Sequence, residues 1–207
     1  VARADAQAAD LAALLDGPAP PDLDAVWISG QPAREEEAAA LITGWIYRLA
    51  QVGAWDVLDA YNPDSSGWDA EVMLGWLRTA AAAYAARIEQ HTTDRLTEAA
   101  AAAAAEEQEW PVAAAAVVAG LGAAAALNAV TAAAEVLSFG GMDAARASGL
   151  TSKTWHTGGP NPRITHRAQN GETVGIDDVF TNGLRYPGDS AGDADETAGC
   201  HCHLTYA

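Results

Sequence analysis

The chain has 207 residues, half of them apolar, with 28 acidic against 11 basic side chains and a formal charge of −17. That length suits one ordinary domain or a helical body carrying a small appended module. The acidic balance excludes non-specific nucleic-acid binding by the chain as a whole, so any contact with DNA is expected to be steric rather than adhesive.

Much of the apolar half is alanine, which favours helix but buries little area. Large core-formers are sparse, so the seven tryptophans are expected to anchor a thin core that completes its burial against a partner or symmetry mate. Val1 stands in place of an initiator methionine, as expected of a processed, tagged or truncated product. No basic region followed by an apolar core and cleavage site suggests secretion. The most membrane-like stretch, Val112 to Leu127, is too short and too rich in alanine and glycine for a spanning helix, and Asn128 and Glu135 follow it. A helix buried against neighbours is expected there.

In chain order, a short helix through Leu11, Leu14 and Leu15 stops at Gly17-Pro18, and a linker surrounds Pro20-Pro21 and Gly30. Pro32 marks the next helix start, with Glu35, Glu36 and Glu37 in its first turn, where the dipole favours negative charge. Leu41, Ile42, Trp45, Ile46, Leu49 and Val52 follow at three-to-four spacing and predict one buried face. The pattern fades toward Tyr61, and Asn62-Pro63-Asp64-Ser65-Ser66-Gly67 is a turn. A longer helix starts near Trp68 or Asp69, with Val72, Met73, Trp76, Leu77, Ala80, Tyr84 and Ile88 as its stripe. It continues through Ala99 to Ala105 and ends before Trp110-Pro111; the flanking Glu98 and Glu106-Glu107 argue for an ordered or partner-stabilised helix. Another helix spans about Val112 to Leu137 and is stopped by Gly140-Gly141. Trp45, Trp76 and Tyr84 lie on apolar stripes and read as core, whereas His91 reads as solvated or capped.

From residue 151 the chain is rich in glycine, proline, threonine and aspartate, and predicts short strands and tight turns. Asn170-Gly171 is a strong turn dipeptide beside the strand-formers Thr173, Val174 and Ile176, and Gly183, Pro187-Gly188 and Gly192 punctuate the remainder. A piece this short, with so few large apolar side chains, needs a staple or a neighbour. The cysteines sit as Cys200-His201-Cys202, and a disulfide across a single residue is strained, which leaves metal binding or free thiols. Cys200 and Cys202 offer two thiolates on one extended segment, and His166 offers an imidazole from a distant one; tetrahedral zinc needs four donors. Strand alternation puts both cysteines on one face and turns His201 and His203 to the other, which favours Glu196 as the fourth donor with His156 as competitor. A lone Cys-x-Cys is a weaker zinc signal than paired Cys-x-x-Cys knuckles, so metal and two buried thiols both stand on spacing alone. Asp177, Asp178, Asp189, Asp193 and Asp195 lack the order of a calcium loop and read as solvated turn acids.

The same stretch carries a succession of landmarks: Lys153 and Trp155, Arg163 and His166, Asn170 and Gly171, Phe180 and Gly183, Pro187, and Cys200 and Cys202. In that order and spacing it resembles the Mu F-like phage head morphogenesis family. The Phe-Thr-Asn-Gly and Pro-Gly-Asp versions look like the minor capsid proteins of actinobacterial phages. Two positions depart from the pattern: Asn161 stands where many members have an acidic residue, and His201 where many have arginine. The resemblance covers residues 151–207 as the Mu F-like module. Residues 111–150 look like the helical lead-in such domains have, and residues 1–110 fit the family's helical N-terminal part without matching a motif. The implied fold is a mainly α N-terminal region followed by a small α+β module of short strands and turns. Structural zinc on His166, Cys200, Cys202 and Glu196 is its candidate staple.

The implied function is structural, not enzymatic. It is that of a low-copy minor capsid protein, made in the bacterial host cytoplasm and carried in the virion at the portal vertex, supporting head assembly, DNA packaging or ejection. Its implied partners are the portal protein, the major capsid protein and sibling subunits, with residues 1–110 docking on the portal or a subunit. Two rivals are kept. Mu F-like domains also occur joined to bacterial toxin modules, and a metal-dependent nuclease would recruit His166, Asn170 and zinc. The lack of a basic DNA-tracking surface and of a second histidine at a fitting distance argues against it. The other rival is a plain helical scaffolding protein whose tail folds on a partner.

Overall fold

The computed structural model describes residues 17, 19–62, 68–105 and 108–207, and for residues 122–127 the backbone alone. The helix expected through Leu11, Leu14 and Leu15 lies outside them, as do most of the turn expected at 62–67 and the Glu106-Glu107 pair. The described chain is mostly helical and ends in a small three-stranded antiparallel sheet.

Asp22 starts α1 (Leu23–Val26), its side chain accepting from the Asp24 and Ala25 amides that have no partner within the helix. A 3-10 turn at Ile28–Gly30 leads into α2 (Gln31–Tyr61). Because α2 begins at Gln31, Glu35, Glu36 and Glu37 fall beyond its first turn, not in it as expected. Asp69 caps a second 3-10 turn, Ala70–Met73, by accepting from the Glu71 amide, and α3 follows as Leu74–Ala104, carrying the alanine run. α4 runs Trp110–Ala147, straight through the Gly140-Gly141 pair expected to stop it. The stop is Gly149, at φ +76, where the Leu150 amide donates to the Ala145 carbonyl and the Gly149 amide to the Arg146 carbonyl. This is the Schellman closure that a left-handed residue permits. Among the described residues, no helix is long and apolar enough to cross a membrane.

Contacts group the described chain into two compact units, residues up to 42 with 79–125 and residues 43–78 with 126–207. The first has a core of Trp27, Leu96, Trp110, Ala114 and Val117. Arg34 lies over the Trp27 ring at 3.8 Å, and its Nε donates to Glu89 Oε2 at 2.9 Å. Both charges are buried, so each depends on the other to offset desolvation.

In the second unit the buried face of α2 is Ile46, Ala50, Ala54, Val57 and Leu58. The stripe expected to be buried is not: Leu41 is 69% exposed, Trp45 41% and Val52 52%. The reason is close backbone approach. A Cβ on Gly53 would run into the Leu137 carbonyl of α4, and one on Gly140 into the Ala50 carbonyl of α2. Small residues thus form the contact, and the large apolar side chains are left outside it. Gly140 and Gly141 serve this packing, which is why they do not end the helix. Val57, Leu58, Met142, Ala145, Tyr186 and Tyr206 continue the core toward the sheet.

The sheet order is β2 (Thr173–Gly175), β1 (Ser152–His156), β3 (His203–Tyr206), with β1 antiparallel to both neighbours. Period-two alternation sends Lys153 and Trp155 into the interior. The other face is polar: Thr154 and Thr173 share a hydroxyl hydrogen bond of 2.7 Å, and His156 stacks on His203. Two short helices, α5 (Ile164–Gln169) and α6 (Ala194–Thr197), flank the strands.

Candidate metal centre

The inward face of β1 sets the floor of the site. Trp155 is fully buried and meets Phe180 and His166 edge-on, at 5.1 and 5.3 Å between ring centres. Lys153, two residues earlier on the same face, is also fully buried; its Nζ donates to the Ile176 carbonyl at 2.8 Å and lies 5.5 Å from the Phe180 ring. Burial pushes its pKa down to about 8, assisted by Arg146 and opposed by Asp177 and Asp178.

His166 comes from α5, not from a strand, and the cysteines come from the extended segment just before β3. The chain reaches them through several fixed points. Gly199, at φ +64, donates its amide to Thr131 Oγ1 on α4 at 3.0 Å, and the Cys200 amide donates to the Thr197 carbonyl. The Arg163 guanidinium, at the start of α5, donates to the Ala198 carbonyl. Gly158 passes so close to this segment that a Cβ there would strike the His201 carbonyl oxygen. The alternation expected along the segment holds: Cys200 and Cys202 are buried, His201 and His203 exposed.

Both sulfurs converge on one atom. Cys200 Sγ is 3.7 Å and Cys202 Sγ 3.4 Å from His166 Nδ1, and the three donor atoms lie within 4.8 Å of one another. A neutral imidazole offers one lone pair, which cannot satisfy two S–H donors at once, whereas a single cation satisfies all three groups. The sulfurs also perturb each other. The Cys200 S–H donating to its neighbour holds the Cys202 thiol down at about 5, helped by the Gly158 amide and His166; the same sharing, with burial, pushes Cys200 up. This buried group could hold a metal ion, and among the described residues it is the only such group. The acids Asp177, Asp178, Asp189, Asp193 and Asp195 do not form one. Asp177 pairs with Arg146, Asp193 caps α6, and buried Asp189 grips Arg185 through both carboxylate oxygens.

Glu196, expected as fourth donor, lies on the other edge of the imidazole, with Oε2 3.2 Å from Nε2. The contact is off the line of a good hydrogen bond, so it acts as a charge beside the ring. His156, the competitor, is spent on the outer face of the sheet, where Nε2 bonds Thr205 Oγ1 at 2.8 Å.

The remaining landmarks shape the same body. Asn170 Oδ1 accepts from the Thr157 amide and hydroxyl at 3.0 and 3.1 Å, and Gly171, at φ +86, turns the chain from α5 into β2. Gly183, at φ +82, donates to the Phe180 carbonyl. Pro187 is buried, and Gly188 beside it passes against the Glu135 backbone of α4, where the Glu135 carboxylate accepts from the Ser190 amide. Sequence reasoning assigned no site role to Gly158 or Thr131. The Gly158-Gly159 doublet was the visible sign of the first; nothing marked the second. Comparisons with known protein families, with characterised proteins and with solved structures find no match to this chain.

Proposed function

We propose that this chain is a structural head protein of a tailed bacteriophage, of the Mu F-like minor capsid kind, whose C-terminal module is clasped by zinc. One observation supports the reading above others. Lys153, Trp155, His166, Phe180, Cys200 and Cys202, scattered along the motif, meet in one buried body whose edge is the His-Cys-Cys group. A motif whose landmarks co-operate physically is less readily a coincidence of spacing.

Zinc suits the donors. Two sulfurs and an imidazole nitrogen are its usual ligands, and tetrahedral zinc at ordinary bond lengths separates sulfur from nitrogen by about 3.6 Å. The separations of 3.7 and 3.4 Å bracket that value. Glu196 then takes the role of the carboxylate behind a metal-bound histidine, orienting the ring from its far nitrogen. The zinc would join α5 to the segment before β3, a staple for a module with few large apolar side chains. The portal vertex is the proposed location, with the portal protein, the major capsid protein or sibling subunits as partners.

Mass spectrometry of purified virions, with a density map of the portal vertex, tests the role. Low-copy protein at the portal supports it; protein on the outer shell lattice only, or absent from virions, overturns it. Metal-dependent phosphodiester cleavage lost in His166→Ala would favour the nuclease or toxin-associated reading instead.

A further inference from the structure

The metal group supplies three protein donors, and zinc takes four. Among the described residues no further histidine, cysteine or carboxylate joins them. Glu196 is placed at Nε2, whose lone pair diverges from that of Nδ1, so one ion cannot bind both edges of the ring. His201 turns its ring over the Gly159 backbone, and His156 is occupied with Thr205 and His203.

What the three donors do face is a cavity of about 230 Å³, lined by His166, Cys200 and Cys202 on one side and the chain from Gly158 to Arg163 on the other. A water molecule's share of liquid is about 30 Å³, so this is far more room than a closed structural site leaves. Its electrostatics are also distinctive. In a chain of charge −17, no acidic residue lines this cavity, and Arg163 is its one permanently charged wall residue. Two thiolates and a neutral imidazole already balance a dication, so a fourth, anionic donor would leave one negative charge beside that guanidinium.

We infer that the metal on His166, Cys200 and Cys202 keeps its fourth position for a small anionic donor from solvent, admitted through this cavity and received beside Arg163. The inference rests on the zinc reading above. Water is the resting occupant, and a thiolate, hydroxide or azide-sized anion displaces it. The donor exchanges without any protein ligand leaving.

Cobalt(II) substituted into the whole chain tests this, because its visible absorption reports both the coordination number and the thiolate bonds. Azide, and separately neutral imidazole, are titrated into the cobalt protein. The expected result is a saturable, single-site change with each ligand. Arg163→Gln weakens azide by about fivefold, the order expected from removing one neighbouring charge, and leaves imidazole unchanged, while Arg163→Lys restores azide. A cobalt protein indifferent to both ligands overturns the open position and leaves the metal site standing. Equal weakening of azide and imidazole in Arg163→Gln overturns the role of charge. Failure to take up cobalt or zinc at all overturns the metal reading and this inference with it.

Discussion

Replacing Lys153 by methionine isolates the cost of one buried charge. Lys153 keeps an ordinary pKa of 10.5 when unfolded and is pushed down to about 8 when folded, mainly by burial. Between those values the unfolded chain holds a proton that the folded chain has released, so stability rises with pH through that window and is flat below it. The interval of about 2.5 pKa units corresponds to at most about 3.4 kcal/mol, with nearby Asp177 and Asp178 keeping it under the ceiling. Methionine removes the titration but leaves the Ile176 carbonyl without its donor, a cost of about 1–3 kcal/mol that does not vary with pH. The two effects nearly cancel below pH 8, so the variant is expected to match the parent there and to fall behind it by about 2–3 kcal/mol at pH 10.5. Tyr186 and Tyr206, both pushed upward by burial, destabilise the fold at high pH, but they do so equally in the two proteins and cancel in the difference. Urea unfolding of both proteins at a series of pH values measures it. A difference that stays constant between pH 8 and 10.5 refutes the assignment of a buried, strained ammonium.

Cys202→Ser is expected to abolish stoichiometric zinc and to cost more than about 2 kcal/mol, and a chelator should lower the Tm of the parent but not of the variant; elemental analysis and calorimetry decide. Gly158→Ala drives a methyl group into the His201 carbonyl, so it should destabilise by about 2 kcal/mol or more and weaken metal uptake, although it alters no ligand. A competition assay against a zinc dye gives the second quantity, and unchanged affinity would show the loop yields freely. Gly53→Ala should cost about 2 kcal/mol or more through its clash with Leu137, while Gly44→Ala on the same helix, with nothing near its Cβ, should gain about 0.5–1 kcal/mol from helix propensity alone. Equal effects at the two positions in denaturant melts would argue against the close approach of α2 and α4.

Local chemistry was legible in the sequence where it did not depend on distant partners. The Asn170-Gly171 turn, the alternation of Cys200 and Cys202 against His201 and His203, and the continuation of α3 through the alanines all follow from short-range rules. Burial on α2 was not legible, because periodicity searches for large apolar residues. The contact with α4 is made where Gly53 and Gly140 let two backbones meet, so Trp45 and Val52 were assigned to the wrong side. The same blind spot turned Gly140-Gly141 into an expected helix stop. At the site, residue types were readable but angles were not. Glu196 was correctly placed near His166, yet only coordinates reveal that it addresses Nε2 while the sulfurs address Nδ1.

A seam made by omitting side chains responds to mutation in the opposite sense from an ordinary core. Between α2 and α4 there is little left to delete at Ala50, Gly53, Ala54 and Gly140, and every addition must displace main chain. An alanine scan of α2 would therefore pass over much of what holds it, and a scan to valine would find it. Sequence drift in this protein should be free on the outward aromatics and confined to the smallest residues along that line.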